Sequence, residues 1–209
     1  MSELLHVIYA SSPIGTLEIT GASDYVTRLH LCDEVHTPTP LTADVPAALR
    51  LAAEELRAYF AGDLRVFSVP LRLAGTPFQR AVWAALRAIP FGLVRTYGEI
   101  AAAVGNPRAA RAVGMANARN PVAVIVPCHR VIAAGGRLGG YGGGLWRKRW
   151  LLRHEGHGGA LFHTPQGARA LFAPTALYAT RAGEGLRAFG RWPLMGNARA
   201  SREEICPCL

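Results

Sequence analysis

Two helix starts in the middle of the chain constrain its fold more than any other feature. Thr76 is followed by proline, and a threonine N-cap with proline at the first helical position is typical of a helix that begins there. The apolar pattern extends this helix to about Ile89. Thr96 and Glu99 have the spacing of a capping box, which predicts a second, short helix over about 97–104.

Two breaks keep these helices short. Pro90-Phe91-Gly92 ends the first one, and Gly105-Asn106-Pro107 forms a tight turn before a third predicted helix over 108–118. Two short helices joined by a glycine-containing turn are typical of a helix-turn-helix motif, although an ordinary helical hairpin has the same pattern. The helix-turn-helix interpretation is favoured by arginines on or near the third helix, namely Arg108, Arg111 and Arg119.

The N-terminal segment has the alternating apolar pattern of strands. Residues 6–9 and 16–19 flank the turn sequence Ser12-Pro13-Ile14-Gly15, which predicts a β-hairpin. Val26–Cys32 and Val66–Leu73 predict two further strands.

One helix is predicted in the same segment, because apolar residues recur at helical spacing from Pro46 to Phe60. The predicted fold class is therefore α/β: a small N-terminal α/β domain, with an antiparallel sheet and a helix, followed by a mainly helical helix-turn-helix domain. We expect the domains to span 1–75 and 76–157, and we expect 158–209 to be a flexible C-terminal extension.

Charge divides the chain along the same boundaries. Residues 1–75 contain five arginines and nine acidic side chains, whereas 76–157 contain twelve basic side chains and two acids, Glu99 and Glu155. A basic excess of this size favours a polyanion such as nucleic acid as the partner. The sequence has no apolar run of the roughly 18 residues that a membrane span needs, so we expect no membrane partner.

The sequence Pro127-Cys128-His129-Arg130 directly follows the apolar run 122–126, which predicts a strand. A thiol is a strong nucleophile only as the thiolate, and neighbouring basic groups promote that form. Cys128 is therefore the candidate nucleophile. From these residues alone, the alternative is a cysteine that is packed as a small hydrophobic side chain.

Three sequence blocks carry further information: two precede this cysteine and the third contains it. They are Phe78-Gln79-Arg80-Ala81-Val82-Trp83, Thr96-Tyr97-Gly98-Glu99-Ile100-Ala101, and the stretch from Asn120 to Glu155 that holds the Pro-Cys-His-Arg motif. In this order and spacing they resemble the O6-alkylguanine-DNA alkyltransferases, also called methylated-DNA–protein-cysteine methyltransferases. The resemblance implies direct DNA repair by irreversible transfer of an alkyl group from O6-alkylguanine to the protein's own cysteine, once per molecule; it leaves activity on O4-alkylthymine open.

The resemblance also implies catalytic roles for five residues. Cys128 accepts the alkyl group, His129 takes the thiol proton through a water molecule, and Glu155 orients the imidazole. Asn120 holds the loop that carries the cysteine. Tyr97 supports rotation of the base out of the duplex and donates a proton to the leaving guanine.

Further residues are implied to contact the DNA and the base. Arg111 corresponds to the arginine finger that fills the space left by the extruded base. The other arginines predicted to contact DNA are Arg95, Arg108, Arg119 and Arg130. The residues predicted to line the base pocket are Val126, Tyr141, Gly142 and Gly143.

We expect neither a cofactor nor a metal ion. Cys206 and Cys208 stand one residue apart with no second pair, and zinc ligation is not expected from the N-terminal candidates His6, His30, Cys32 and His36. The expected partner is double-stranded DNA that contains alkylated guanine. We expect a monomer in the cytoplasm, or in the nucleus of a eukaryote.

The principal alternative is a non-catalytic protein that recognises alkylated DNA damage. Such proteins resemble this chain but lack the reactive cysteine, which is present here as Cys128. A helix-turn-helix regulator has no use for the Pro-Cys-His-Arg motif, and a thiol hydrolase would turn over a simple ester.

Overall fold

The computed structural model describes residues 4–157, and its N-terminal part is a three-stranded antiparallel sheet. β1 (His6–Ser12), β2 (Gly15–Gly21) and β3 (Val26–Cys32) pair in chain order, which confirms the predicted hairpin and the strand after it. Gly15 closes the hairpin turn at a φ of 106°, a conformation that favours glycine, and Ser12 Oγ donates to the Gly15 carbonyl oxygen at 2.6 Å.

The helix α1 (Ala47–Ala61) packs on this sheet. It buries an apolar face that includes Leu49 and Leu56 in the same core as Leu17 and Ile19 of β2. Burial of each such side chain contributes about 2 kcal/mol to the free energy of unfolding. The helix predicted between Pro46 and Phe60 is confirmed.

The strand predicted over Val66–Leu73 is wrong. The segment forms only an isolated bridge at Leu71, where the Arg72 N–H donates to the Val26 carbonyl oxygen of β3, because N–H groups before the bridge are used elsewhere or are missing. The Glu55 carboxylate of α1 accepts a hydrogen bond from the Ser68 N–H at 2.9 Å. Pro70 has no N–H to donate to a ladder.

The second part of the chain contains the three predicted short helices α2 (Pro77–Arg87), α3 (Tyr97–Ala103) and α4 (Ala110–Ala118). Thr76 and Thr96 cap the first two helices, as predicted, and each forms a capping box, which was predicted for Thr96 alone. The fold is therefore mixed α/β, with a small antiparallel-sheet domain followed by a helical domain.

Packing between the helices sets the position of α4. The Trp83 indole N–H donates to the Ala116 carbonyl oxygen at 2.9 Å and joins α2 to α4. The helix α4 begins at Ala110 rather than at 108, so Arg108 lies in the turn before it.

The apolar run 122–126 is a buried loop and not the predicted strand. Val122, Val124 and Val126 have no exposed surface, and Val124 has a φ of 68° that no strand residue adopts. The run is apolar because the core surrounds it on all sides. Its apolar residues do not mark one face of a strand.

The remaining elements hold the residues that follow the buried loop. After the loop come a 3₁₀ turn (Cys128–Arg130), the short strand β5 (Val131–Ile132) and the helix α5 (Leu145–His154). The strand β5 pairs in parallel with β4 (Arg95–Thr96), which lies directly before α3. The 3₁₀ turn is therefore held beside α3 and α5.

The predictions for 158–209, including those for Cys206 and Cys208, lie outside the described residues. Within 4–157, no helix is both long enough and apolar enough to cross a membrane. The same residues contain no cluster of three or more His, Cys, Asp or Glu side chains that could hold a metal ion.

Candidate active site

Cys128 opens the 3₁₀ turn and its side chain is 6% exposed. Burial raises the pKa of the Cys128 thiol, although the Asn120 side chain and the charge of Lys148 act in the opposite direction. The resting sulfur is therefore a thiol near neutral pH. A base must remove its proton before it can attack an electrophile.

His129, the next residue, has one ring nitrogen tied to a carboxylate and one unpaired. Its Nε2 lies 2.8 Å from Glu155 Oε1, and both side chains are completely buried. Since Glu155 carries no proton, Nε2–H is the donor, which leaves a lone pair on Nδ1. That Nδ1 is buried and has no hydrogen-bond partner among the described residues. Burial lowers the pKa of His129, so the ring is a neutral base.

Arg130 completes this cluster of charges. Its Nε donates to Glu155 Oε2 at 2.8 Å and its second terminal nitrogen donates to Oε1 at 2.9 Å. Burial alone would raise the pKa of Glu155, but the hydrogen bonds and charges of His129 and Arg130 outweigh it and hold the pKa well below its usual range. Glu155 is therefore a carboxylate at every pH of biological interest.

The same contacts correct the prediction that Arg130 binds DNA. The residue is 5% exposed, and its remaining terminal nitrogen donates to the Ile89 carbonyl oxygen at 2.6 Å. All three guanidinium nitrogens have partners inside the protein, so this arginine supports Glu155 and does not face a phosphate.

Two asparagines fix the backbone around the cysteine. Asn120 Nδ2 donates to the Val126 carbonyl oxygen at 2.8 Å, and Asn120 Oδ1 accepts from the Val122 N–H at 3.1 Å. This agrees with the loop-holding role predicted for Asn120. Asn117 of α4 donates to the Cys128 carbonyl oxygen at 3.3 Å and was not predicted.

A cavity of about 680 Å³ opens beside the thiol, within the usual size range of ligand pockets. Among the side chains and backbone segments that line it are Tyr97, Cys128, Tyr141, Gly142 and Gly143. The structure thus brings together the predicted nucleophile, the predicted proton donor and three of the four predicted pocket residues.

Val126 is the exception among the predicted pocket residues. It has no exposed surface, belongs to the core and does not line the cavity. Only its carbonyl oxygen takes part in the site, as the acceptor for Asn120.

Both tyrosines interact electrostatically with the cysteine. Burial and then the neighbouring Cys128 raise the pKa of Tyr97 and of Tyr141, so both are neutral phenols. The Tyr141 hydroxyl is buried, and hydrogen bonding to Cys128 is a further cause of its raised pKa. Close packing surrounds the loop, since a Cβ on Gly139 would lie 3.1 Å from the Tyr97 hydroxyl and one on Gly143 would lie 2.5 Å from a Leu31 methyl.

The helix α4 lines one side of this cavity and carries a basic outer face. Arg111 and Met115 are exposed on this outer face, whereas Gly114 and Asn117 line the cavity. Arg119, directly after the helix, is exposed and also lines the cavity. The predicted Arg108 is also exposed; Arg95 is half-buried, with a hydrogen bond to the Val94 carbonyl oxygen.

Lys148 is a site residue that sequence reasoning missed. It is completely buried on α5, and its Nζ donates to the carbonyl oxygens of Val131 at 2.6 Å, of Leu138 and of Gly140 at 3.4 Å. Burial lowers its pKa to about 8, and the nearby Cys128 opposes this shift. The sequence did carry a signal, because this is the one lysine among the 23 basic residues of the chain.

Arg147 is the second residue that was missed, and it connects the sheet to the cavity. Its guanidinium donates to the carbonyl oxygens of Ile14 at 2.8 Å, of Cys32 at 3.0 Å and of Gly143 at 2.9 Å. It also pairs with the Asp33 carboxylate at 3.0 Å. The loop that lines the cavity is therefore anchored to the hairpin turn and to the end of β3.

Comparisons with known proteins agree with this architecture. A family model described as "6-O-methylguanine DNA methyltransferase, ribonuclease-like domain" matches residues 5–73, and one described as "6-O-methylguanine DNA methyltransferase, DNA binding domain" matches residues 77–157. The methylated-DNA–protein-cysteine methyltransferase of Mycobacterium tuberculosis is 51% identical over 154 residues, which cover 73% of this chain and 93% of that protein.

Solved structures give the same result. The crystal structure of the Mycobacterium tuberculosis O6-methylguanine methyltransferase has a TM-score of 0.65 and 49% identity, and the match covers 73% of this chain and 93% of that one. The Mycobacterium tuberculosis OGT in complex with DNA has the same TM-score and identity, over 72% of this chain and 92% of that one. On these matches, and with a cysteine beside a buried His–Glu pair in its cavity, the chain belongs to the methylated-DNA–protein-cysteine methyltransferase family.

Proposed function

We propose that this protein repairs DNA directly, by moving an alkyl group from O6 of guanine in double-stranded DNA to Sγ of Cys128. The observation that carries the proposal is the position of that sulfur: it lies in a cavity, next to a histidine whose unpaired Nδ1 can accept a proton. The names of the relatives describe the same activity.

The chemistry follows from the charges of the buried cluster. His129 Nδ1 takes the thiol proton through a water molecule, and Glu155 stabilises the resulting imidazolium. The thiolate attacks the alkyl carbon, so that the C–S bond forms as the C–O6 bond breaks. The electron pair leaves with guanine, and the Tyr97 phenol supplies the proton that the departing base needs.

A thioether does not revert to a thiol without a further reaction, so each molecule acts once. The alternative of a non-catalytic damage-recognition protein is not favoured, because the relatives are named as cysteine methyltransferases and the cysteine is present.

The DNA must deliver its base into the cavity from outside. The buried sulfur cannot reach into a stacked duplex, so the alkylated guanine has to rotate out of it. Arg111 on the outer face of α4 fills the vacated space, and Arg108, Arg119 and Arg95 pair with phosphates. We assign DNA binding and alkyl transfer to 76–157, and we propose that the protein acts as a monomer in the cytoplasm, or in the nucleus of a eukaryote.

Mass spectrometry tests this function. The protein is mixed with an excess of duplex that contains one O6-methylguanine, and the expected result is a single methyl group per molecule, mapped to Cys128. A Cys128→Ser variant should remain unmethylated, and a Cys32→Ser variant should react as the wild type does. More than one turnover per molecule, or a methyl group at Cys32, would contradict the proposal.

A further inference from the structure

The carboxylate of Glu155 has a donor that comes from the sheet domain. Tyr59 lies near the end of α1, has no exposed surface, and donates its hydroxyl hydrogen to Glu155 Oε1 at 2.7 Å. The same oxygen accepts from His129 Nε2 at 2.8 Å and from Arg130 at 2.9 Å. Three donors therefore converge on one carboxylate oxygen, and one of them belongs to the N-terminal domain.

We propose that Tyr59 is a positioning residue for alkyl transfer, which fixes the rotation of the Glu155 carboxylate and thereby the tautomer and basicity of His129. The proposal rests on the function proposed above. It assigns to the N-terminal domain a direct effect on the reacting groups, through one phenol hydroxyl.

The surroundings of the phenol suit this role. Its ring packs against Phe60, Phe67 and Phe91, with centroid distances of 5.2, 5.3 and 6.1 Å, and lies 5.0 Å from the His154 ring. These contacts hold the ring in place, so the hydroxyl has one fixed direction. Burial and the charge of Glu155 raise the pKa of Tyr59 far above its usual value, so the group remains a neutral donor.

The hydroxyl has two effects on the base. It stops the carboxylate from turning Oε1 away from His129, which keeps the hydrogen on Nε2 and the lone pair on Nδ1. It also withdraws electron density from Oε1, which weakens the support that Glu155 gives to an imidazolium. The other charged or titratable groups near the pair are Arg130, Lys148 and His157.

The second effect predicts opposite shifts of the His129 pKa for two substitutions of the full-length protein. Tyr59→Phe removes one oxygen and keeps the ring contacts, so Glu155 supports the imidazolium more strongly and the pKa of His129 rises. Replacement of Tyr59 by 3,5-difluorotyrosine strengthens the donor at nearly constant shape, so the pKa of His129 falls. Nitrogen-15 NMR of the histidine rings measures both shifts and reports the tautomer.

Single-turnover kinetics provide the second readout. With O6-benzylguanine as a free-base probe, Tyr59→Phe should slow alkyl transfer to Cys128 about fivefold, the equivalent of one ordinary hydrogen bond, because the lost orientation of the carboxylate outweighs the gain in basicity of His129. The matched control is Tyr25→Phe, which removes a phenol hydroxyl elsewhere in the same domain, where it accepts from Arg72 at 2.6 Å. That control should keep the wild-type rate and the wild-type NMR signals of His129.

A purely structural role for Tyr59 has a different signature. It would lower the melting temperature in Tyr59→Phe and leave the rate, the tautomer and the pKa of His129 unchanged below that temperature, and this outcome would overturn the proposal. If Tyr59→Phe does not fold, the fluorinated protein decides, and an unchanged or raised pKa of His129 there overturns it as well. A wild-type protein that transfers no alkyl group would instead refute the proposed function, while the NMR shifts would still test the coupling of Tyr59 to His129.

Discussion

The two domains differ in what they bury. Among the described residues, the sheet domain buries apolar side chains such as Leu17, Leu49 and Leu56, and its one buried polar side chain outside the aromatic class is Thr16. The helical domain buries six polar or charged side chains: Asn117, His129, Arg130, Arg147, Lys148 and Glu155. His129 and Arg130 belong to the 3₁₀ turn that Cys128 begins, Asn117 donates to that turn, and Glu155 accepts from it. Lys148 donates to the residue after the turn, and Arg147 donates to the loop that lines the cavity.

The difference separates what stabilises the fold from what prepares the reaction. Apolar burial stabilises the folded state directly, whereas a buried charge costs several kcal/mol unless a partner offsets it. The helical domain buries its charged side chains close to the Cys128 sulfur, with partners that offset the cost of burial. We therefore expect apolar substitutions in the core of the sheet domain, away from Tyr59, to alter stability alone, and substitutions in the charged cluster to alter stability and rate together.

The largest expected effect comes from Glu155→Gln. It leaves the buried Arg130 without its counter-charge and should lower the free energy of unfolding by about 3 kcal/mol. It should also slow alkyl transfer about 100-fold or more, because an imidazolium at His129 loses its support. Urea melts and single-turnover rates with a free-base substrate measure the two losses.

A double variant controls this result. His129→Ala should slow transfer to a similar extent, and the pair His129→Ala with Glu155→Gln should cost little more than the worse single change, since the two act as a unit. Clearly additive rate losses, or a wild-type rate in Glu155→Gln, would remove Glu155 from the mechanism.

Leu49→Ala is the corresponding test in the sheet domain. Leu49 has no exposed surface, and its truncation should cost about 3 kcal/mol of stability through the lost contacts and the cavity left behind. The transfer rate per folded molecule should equal that of the wild type. A rate loss at a temperature well below the melt would break the proposed separation between the domains.

Arg111→Ala tests the outer face of α4 without touching the buried cluster. Repair of a duplex substrate should fall about tenfold or more, because the extruded base leaves a gap that no side chain fills. The reaction with free O6-benzylguanine needs no rotation of a base and should keep its rate. Equal losses on both substrates would refute the assignment of Arg111 as the finger.

The smallest expected effect is a dependence of stability on acid. Burial lowers the pKa of His129 in the folded state, so the unfolded chain binds the proton more readily. The contribution of His129 to the free energy of unfolding is fully present above the pKa of about 6.5 that it has in the unfolded chain. This contribution is lost as the pH falls from there towards the lower pKa of the folded state. The free energy of unfolding should therefore decrease between pH 7 and pH 5, and less steeply in His129→Gln than in the wild type. Parallel slopes for the two proteins would show that another group causes the loss.

The features that were predicted correctly from the sequence are local ones. Thr76 and Thr96 cap their helices through residues three positions away, and the hairpin turn closes on itself at Gly15, so the signals lie within one short window. The strand predicted over Val66–Leu73 does not form, partly because Glu55 of the preceding helix accepts the Ser68 N–H. No local sequence pattern connects Glu55 to that segment.

The same distinction applies to the site. The neighbours Cys128 and His129 were proposed as site residues from one motif and its resemblance to a family. The burial of Arg130 was not, because its partner Glu155 lies 25 positions further along the chain and a sequence gives no measure of exposure. Lys148 was missed although it is the one lysine of the chain, because its partners are backbone carbonyl groups, which no residue type in the sequence marks.

Lys148 has a practical consequence for studies of this molecule in solution. It is the chain's single lysine, and in the folded protein its amine is enclosed by carbonyl oxygens beneath the loop that lines the cavity. An acylating reagent can reach that amine only when the loop opens. The acylation rate at this one amine therefore measures how often the loop opens in the unmutated protein.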